Sequence, residues 1–314
     1  MTRSTALLIL VFAICCAAAS GAASAAQQAV PLALKFTAGD TLQYDVSFSG
    51  GGGVTVPGAE VSAVGIQGSL SIAQNVIEVL PDGSGRLETT IPRVEATVTI
   101  GGDKASFTFA DGKLRWSANG KESAPPDDAA LSKIPLLMTP VVITLAPDGR
   151  TTDLAFSDPE LMAQLSQVAP GFDLSRAWQN SEAVFPQAPV SVGETWRKTM
   201  QFSPLGSQMP VTVSTSRTLD DYTEQGGVGL ARISSFTDAR VTTMGELPAP
   251  GGFAITVPEL RETVTATEFF NTTKGQLVRG DYDVSFRTSF GLKVGEEEES
   301  GSVEARLRVS VQSR

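Results

Sequence analysis

Val190-Ser191-Val192-Gly193-Glu194-Thr195-Trp196-Arg197-Lys198-Thr199-Met200-Gln201-Phe202-Ser203 sets a Gly-acid turn ahead of a run with apolar side chains at Trp196, Met200 and Phe202. The stretch from Gly39-Asp40-Thr41-Leu42-Gln43-Tyr44-Asp45-Val46-Ser47-Phe48-Ser49 overlies Gly193 to Ser203 without a gap, with Leu42, Tyr44, Val46 and Phe48 at alternate positions. A period of two is that of a strand with one buried face. Both stretches therefore predict a strand launched from a glycine turn.

Two further correspondences keep the same order. Leu87, Glu95-Ala96 and Val98 lie over Leu230, Asp238-Ala239 and Val241, and Phe107 to Arg115 resembles Phe269 to Arg279. In the last pair an aromatic strand runs into a turn closing on Gly and then into Leu and Arg. Together these predict a duplicated chain, with a first half over 31–155 and a second over 186–314.

Alternation recurs elsewhere. Leu87, Thr89 and Ile91, then Val94, Ala96, Val98 and Ile100, flank Pro92, which predicts a break or bulge. Tyr282, Val284 and Phe286, and Val303 to Val311 at every second residue, read as strands with one wet face. Pro81-Asp82-Gly83-Ser84-Gly85 and Pro147-Asp148-Gly149 are hairpin turn signals. Gly50-Gly51-Gly52-Gly53 and the small residues to Gly68 predict a flexible hairpin tip or loop edge. Gly295-Glu296-Glu297-Glu298-Glu299-Ser300-Gly301 predicts an acidic hairpin tip.

The pattern changes between the halves. Ser157-Asp158-Pro159-Glu160 supplies an N-cap, a first-turn proline and a capping-box acid, with Leu161, Met162, Leu165 and Val168 on one face. A short helical insert is expected over 156–185, including a second helical stretch near Trp178. The fold class expected is mainly β: an antiparallel, strongly curved sheet or partly open barrel of two similar halves, with the insert packed on it.

Met1 to Ala25 reads as an export signal, with Arg3, an apolar core and Ala23-Ser24-Ala25 as the cleavage site. Its apolar run is shorter than the roughly 20 residues that span a bilayer, and no later stretch approaches that length. The expectation is a bacterial protein, periplasmic or secreted, whose mature chain, 26–314, is a single duplicated β domain without a transmembrane segment. Cys15 and Cys16 lie where a lipoprotein signal would carry its cysteine, but Phe12-Ala13-Ile14 lacks the small residue such signals place before it.

The chain holds two cysteines, both within that signal, and no histidine. Cleavage would leave no disulfide, no thiolate or imidazole metal ligand and no Cys or His catalytic group. A formal net charge of −10 argues against a nucleic-acid partner. No cofactor, metal or catalytic residue is expected.

Ile143-Thr144-Leu145-Ala146-Pro147-Asp148-Gly149-Arg150, followed by Phe185-Pro186 and Pro189-Val190-Ser191-Val192-Gly193-Glu194-Thr195-Trp196, resembles a group of exported bacterial proteins of unknown function. Their pattern is strand-PDGR-strand, a helical insert, then PxxVGETW. The resemblance implies export and an antiparallel β fold and carries no activity. A curved sheet crossed by helical inserts is also similar, at the level of fold, to the periplasmic lipoprotein carriers, whose concave face holds acyl chains.

The candidate ligand-binding residues are Tyr44, Phe48, Leu161, Met162, Leu165, Val168, Trp178 and Trp196, lining a space between sheet and insert for a lipid or other apolar small molecule. An envelope protein is the alternative partner, met by a dry-cored interaction module through its acidic face or loops. A carboxylate hydrolase is the third reading, through Asp127-Asp128 or Asp220-Asp221. Glu296 to Glu299 offers oxygen ligands for calcium, without the spacing of a binding loop.

Overall fold

The computed structural model describes residues 29–55, 62–123, 138–156, 184–202, 211–249, 253–294 and 297–314. The expected helical insert, with Leu161, Met162, Leu165, Val168 and Trp178, lies outside them, as do the export signal and Asp127-Asp128.

The first half is a meander of β1 (Thr41–Thr55), β2 (Ser62–Val79), β3 (Gly85–Ile100), β4 (Asp103–Ala110), β5 (Lys113–Ala118) and β6 (Lys121–Ser123). A hairpin of β7 (Val141–Leu145) and β8 (Thr151–Phe156) follows. The second half is another meander: β9 (Thr195–Phe202), β10 (Val211–Gln225), β11 (Val228–Ala249), β12 (Phe253–Asn271), β13 (Gln276–Val294) and β14 (Glu297–Ser313). All belong to one antiparallel, strongly curved sheet, ordered β6-β5-β4-β3-β2-β1-β14-β13-β12-β11-β10-β9, with β7 and β8 branching from β3. The first meander leaves the centre for one edge, and the second starts at the other edge and returns to pair β14 with β1. Strands β6 and β9 do not meet, so the sheet is not closed into a barrel.

The three internal correspondences fall on strands of equal rank in the two meanders. β1 lies over β9, β3 over β11, and the β4–β5 turn over the β12–β13 turn. Gly39 and Gly193, ahead of β1 and β9, have φ of 87° and 83°, a conformation glycine adopts without steric cost. Val30 and Val190, each upstream of one of these strands, bridge to one another.

Gly50 to Gly53 is not a loop edge. The four glycines lie inside β1, paired to Leu307, Arg306, Ala305 and Glu304 on one side and to Ile66 through Ala63 on the other. Their physical role is close approach rather than flexibility. A Cβ at Gly50 would stand 2.2 Å from the Arg306 carbonyl oxygen, one at Gly52 2.1 Å from that of Glu304, and one at Gly68 2.2 Å from that of Glu95. All three sit in phase with the buried residues of their strands. Their missing side chains let neighbouring strands bend sharply toward that face.

The acidic tip is also shorter than expected. Glu297, Glu298 and Glu299 belong to β14 and pair with Val294, Lys293 and Leu292. The expected irregularity at Pro92 is present: the β2–β3 register shifts between Ser71 and Ala73, opposite the step from Arg93 to Thr90.

Period-two alternation makes one face apolar. Val46 and Phe48 on β1, Leu70 on β2, Val94 and Ala96 on β3, Phe107 and Phe109 on β4, Tyr282 and Val284 on β13 and Leu307, Val309 and Val311 on β14 form the main core cluster. Each fully buried aliphatic or aromatic side chain contributes about 1.5–3 kcal/mol. The opposite face carries Asp45, Ser47, Asp281, Asp283, Arg306 and Arg308, with exposed ion pairs such as Arg308–Asp283 at 3.0 Å. Such pairs are worth about 0–1 kcal/mol each.

Candidate functional site: the inner face of the sheet

Strand register places one line of inward side chains across the sheet. Trp196 pairs with Arg217, then in turn come Ser235, Ala266, Tyr282, Val309, Phe48, Gly68, Ala96, Phe107 and Trp116. Phe48 and Trp196 therefore share one row, although they pack in different clusters. Phe48 is 4% exposed and belongs to the main core, with Tyr44 packed at its margin. Trp196 packs with Leu32, Phe185, Val190, Leu219, Ile233 and Phe270, and its indole Nε1 donates to the Val184 carbonyl at 3.0 Å. The Phe185 and Phe270 rings meet at 5.2 Å between centroids.

Between the two clusters the inner face becomes ionic. Glu268, fully buried on β12, accepts a hydrogen bond from Arg217 Nη1 at 2.8 Å and another from the Tyr282 hydroxyl at 3.0 Å. Arg217 on β10 is 8% exposed. Gly280 makes the Tyr282 bond sterically possible, because a Cβ there would lie 2.5 Å from the Tyr282 hydroxyl oxygen. Burial raises the Glu268 carboxyl above its ordinary value, against the lowering effect of the Arg217 charge and the two hydrogen bonds. Burial also pushes the Tyr282 phenol well above its own, reinforced by the neighbouring carboxylate. Glu262, further along the same face of β12, is likewise raised by burial.

Sequence reasoning missed this triad. Arg217 and Glu268 are 51 residues apart, and only strand register brings them together. The available signal was phase. Arg217 sits between Thr215 and Leu219 on the apolar alternation of its strand, and Glu268 between Ala266 and Phe270 on that of its own.

Tyr44 also lines a groove of about 550 Å³ at the ends of β1, β13 and β14, with Lys35, Asp40, Leu42, Lys274 and Leu277 among its walls. The Lys35 ammonium donates to the Thr272 and Thr273 carbonyls at 2.9 and 3.2 Å, tying the segment before β1 to the β12–β13 turn. Burial pushes the Tyr44 phenol up to about 12.

Asp220 accepts from Ser234 at 3.0 Å and faces Arg232 at 3.7 Å on the outer side of the sheet, and it is the extra residue of a bulge between Leu219 and Asp221. Ordinary surface bonding accounts for Asp220. Among the described residues no group of three or more Cys, Asp or Glu side chains is spaced to hold a metal ion.

The fold and face define a class: an open, strongly curved antiparallel sheet with an apolar inner face interrupted by one buried ionic triad. No protein-family model and no curated protein matches the chain. Among solved structures it is similar to lipovitellin, at 13% identity and a TM-score of 0.42 over 88% of this chain and 25% of that one. It is also similar to the COG4313 outer membrane channel of Pseudomonas putida F1, at 9% identity and a TM-score of 0.22 over 88% and 97% of the two chains. OccK5 (OpdH) of Pseudomonas aeruginosa gives 5% identity and a TM-score of 0.23 over 88% and 98%. The chain spans about a quarter of the lipovitellin chain. Likenesses at these scores carry no argument about function.

Proposed function

We propose that this chain is an exported, non-catalytic bacterial protein that holds an apolar or amphipathic, lipid-like ligand against the inner face of its curved sheet. The observation that carries the reading is the row from Trp196 to Trp116. A sheet with one apolar face has to bury it against something; here the middle of that face, at Phe48, Tyr282 and Val309, is already packed, and the half-buried Trp196 and Trp116 at its two ends are where a ligand would lie. Tyr44, Phe48 and Trp196 supply aromatic surface along it. Leu161, Met162, Leu165, Val168 and Trp178 complete the proposed lining from the insert. The signal at 1–25 and the turn motifs shared with exported bacterial proteins support a periplasmic or secreted location.

The reading assigns no reaction. Glu268 is held by Arg217 and Tyr282.

The test uses the tryptophans at the two ends of the row. The chain has three tryptophans, so Trp178→Phe leaves Trp116 and Trp196. A brominated fatty acid, which quenches only at contact, is expected to reduce their emission saturably, and the unbrominated acid is expected to compete. Emission unchanged by either compound in a folded protein would refute the reading.

A further inference from the structure

We propose that the groove at the ends of β1, β13 and β14 is a docking slot for the C-terminal end of an extended peptide, laid into the sheet as a continuation of β14. It stands whether or not the inner face holds a lipid-like ligand.

The slot is the unfilled end of one strand's lane. β14 lies between β1 and β13, and its pairing stops at Tyr44–Ser313 on one side and at Arg279–Gln312 on the other. β1 nevertheless continues, paired with β2, to Thr41, and β13 starts, paired with β12, at Gln276. Thr41 to Gln43 and Gln276 to Val278 therefore flank a lane with no strand of the described residues in it. Neighbouring strands sit about 4.8 Å apart, so the lane is roughly 9–10 Å across and, over three residues, about 10 Å long. These two segments, with Arg314 at one end and Lys35 and the β12–β13 turn at the other, line the groove of about 550 Å³.

The walls of the lane offer main-chain groups. On the β1 side the last backbone bond runs from the Arg314 N–H to the Gln43 carbonyl at 3.0 Å, and antiparallel alternation puts the Thr41 N–H and C=O next on that side. On the β13 side the register shifts at Val278, whose carbonyl accepts from the Gln312 side-chain amide and the Ser313 hydroxyl at 3.1 and 3.2 Å. Side chains stand there where a strand would supply amides. An extended peptide is the ligand whose alternating donors and acceptors fit a strand edge. Continued in the register of β14, the first residue beyond Arg314 falls opposite Leu42, on the inner phase shared with Tyr44. Leu277 lines the same groove, so that position takes an apolar side chain.

Direction and charge select the peptide's end. β14 runs into the groove, so a continuation antiparallel to both walls sends its C-terminus toward Lys35 and Lys274. The Lys35 ammonium is held by two carbonyls rather than a carboxylate, and Lys274 is exposed and makes no ion pair among the described residues. Asp40 is the acid among the lining side chains, and Arg314, at the far end, is paired with Asp45. Two lysines against one aspartate suit a terminal carboxylate.

The test uses the tripeptide Leu-Thr-Val as free acid and as C-terminal amide, titrated calorimetrically at millimolar concentration into the exported protein, with hydrogen-exchange mass spectrometry locating the contact. The acid should bind about two- to fivefold more tightly than the amide, the range of an exposed ion pair, and should slow exchange over 41–43 and 276–278. Lys274→Ala should bring the acid down to the amide while both still bind. Leu-Pro-Val, which lacks the central N–H that pairs with Thr41, should bind about two- to tenfold more weakly than Leu-Thr-Val, as the loss of one hydrogen bond implies. No binding of the acid, slowed exchange that spares both segments, or an acid-to-amide ratio unmoved by Lys274→Ala overturns the slot.

Discussion

Replacing Gly68 by alanine tests whether the sheet is bent as tightly as its glycines imply. The new Cβ would lie 2.2 Å from the Glu95 carbonyl oxygen, 2.6 Å from Phe48 Cζ and 2.9 Å from Ala96 Cα. The Phe48 ring can swing away. The Glu95 carbonyl cannot, because β3 is held in register by both β2 and β4. An ordinary carbon-to-carbonyl contact is about 3.3 Å, so β2 and β3 would have to part by roughly 1 Å. Overpacking of this kind costs about 1–3 kcal/mol. Gly65, three residues earlier on the opposite face, meets nothing nearer than Thr99 Cβ at 3.7 Å. Alanine there should be neutral or stabilise by about 0.4–1 kcal/mol through the unfolded chain. The same change of one methyl group thus has opposite signs on the two faces. Urea unfolding followed by circular dichroism measures both, and each kcal/mol should move Tm by about 2–4 °C in a domain of this size. A Gly68→Ala protein as stable as wild type, or equal losses at both positions, would show that the curvature argument is wrong.

Three other outcomes follow from the structure. Arg217→Ala, which leaves Glu268 buried without its counter-charge, should cost about 3–5 kcal/mol; the R217M/E268Q double should cost clearly less, and equal losses in urea midpoints would contradict the ionic account of the triad. Asp238 is held down to about 2 by hydrogen bonds from Arg240 and Arg261. Its folded value lies below the ordinary 3.8, so its contribution is present above about pH 4 and is lost as pH falls toward 2; Asp238→Asn should flatten the stability profile in that window, and a profile unchanged by the substitution would refute the assignment. In alkali the sign reverses. With the Tyr44 phenol raised to about 12, the unfolded chain ionises first, and stability is lost as pH rises from about 10 toward 12; Tyr44→Phe should remove the part of the phenolate absorbance that titrates near 12, and an unaltered titration curve would count against its burial.

Particular residues show what was legible in the sequence. Turns were readable because only a few residue types take positive φ cheaply: Gly39, Gly83, Gly149, Gly193 and Gly275 all do so where turns were expected. Strands were readable wherever one face is wet, as with Val303 to Val311. Gly50 to Gly53 misled because four glycines look alike whether they loosen a loop or let two backbones close up. Only the neighbouring Arg306 and Glu304 carbonyls tell the cases apart. Tyr44, Phe48 and Trp196 were placed on inward phases by alternation, but their division into two clusters depends on pairings far apart in the chain. The Arg217–Glu268–Tyr282 triad was hidden for the same reason.

The central claim is that the inner face carries a lipid-like ligand, and the most direct measurement is native mass spectrometry of protein exported and purified without detergent, followed by solvent extraction. The account predicts a reproducible extra mass, released into solvent as an apolar or amphipathic, lipid-like molecule. A clean unliganded mass, together with no thermal shift on adding fatty acid or phospholipid, would contradict it.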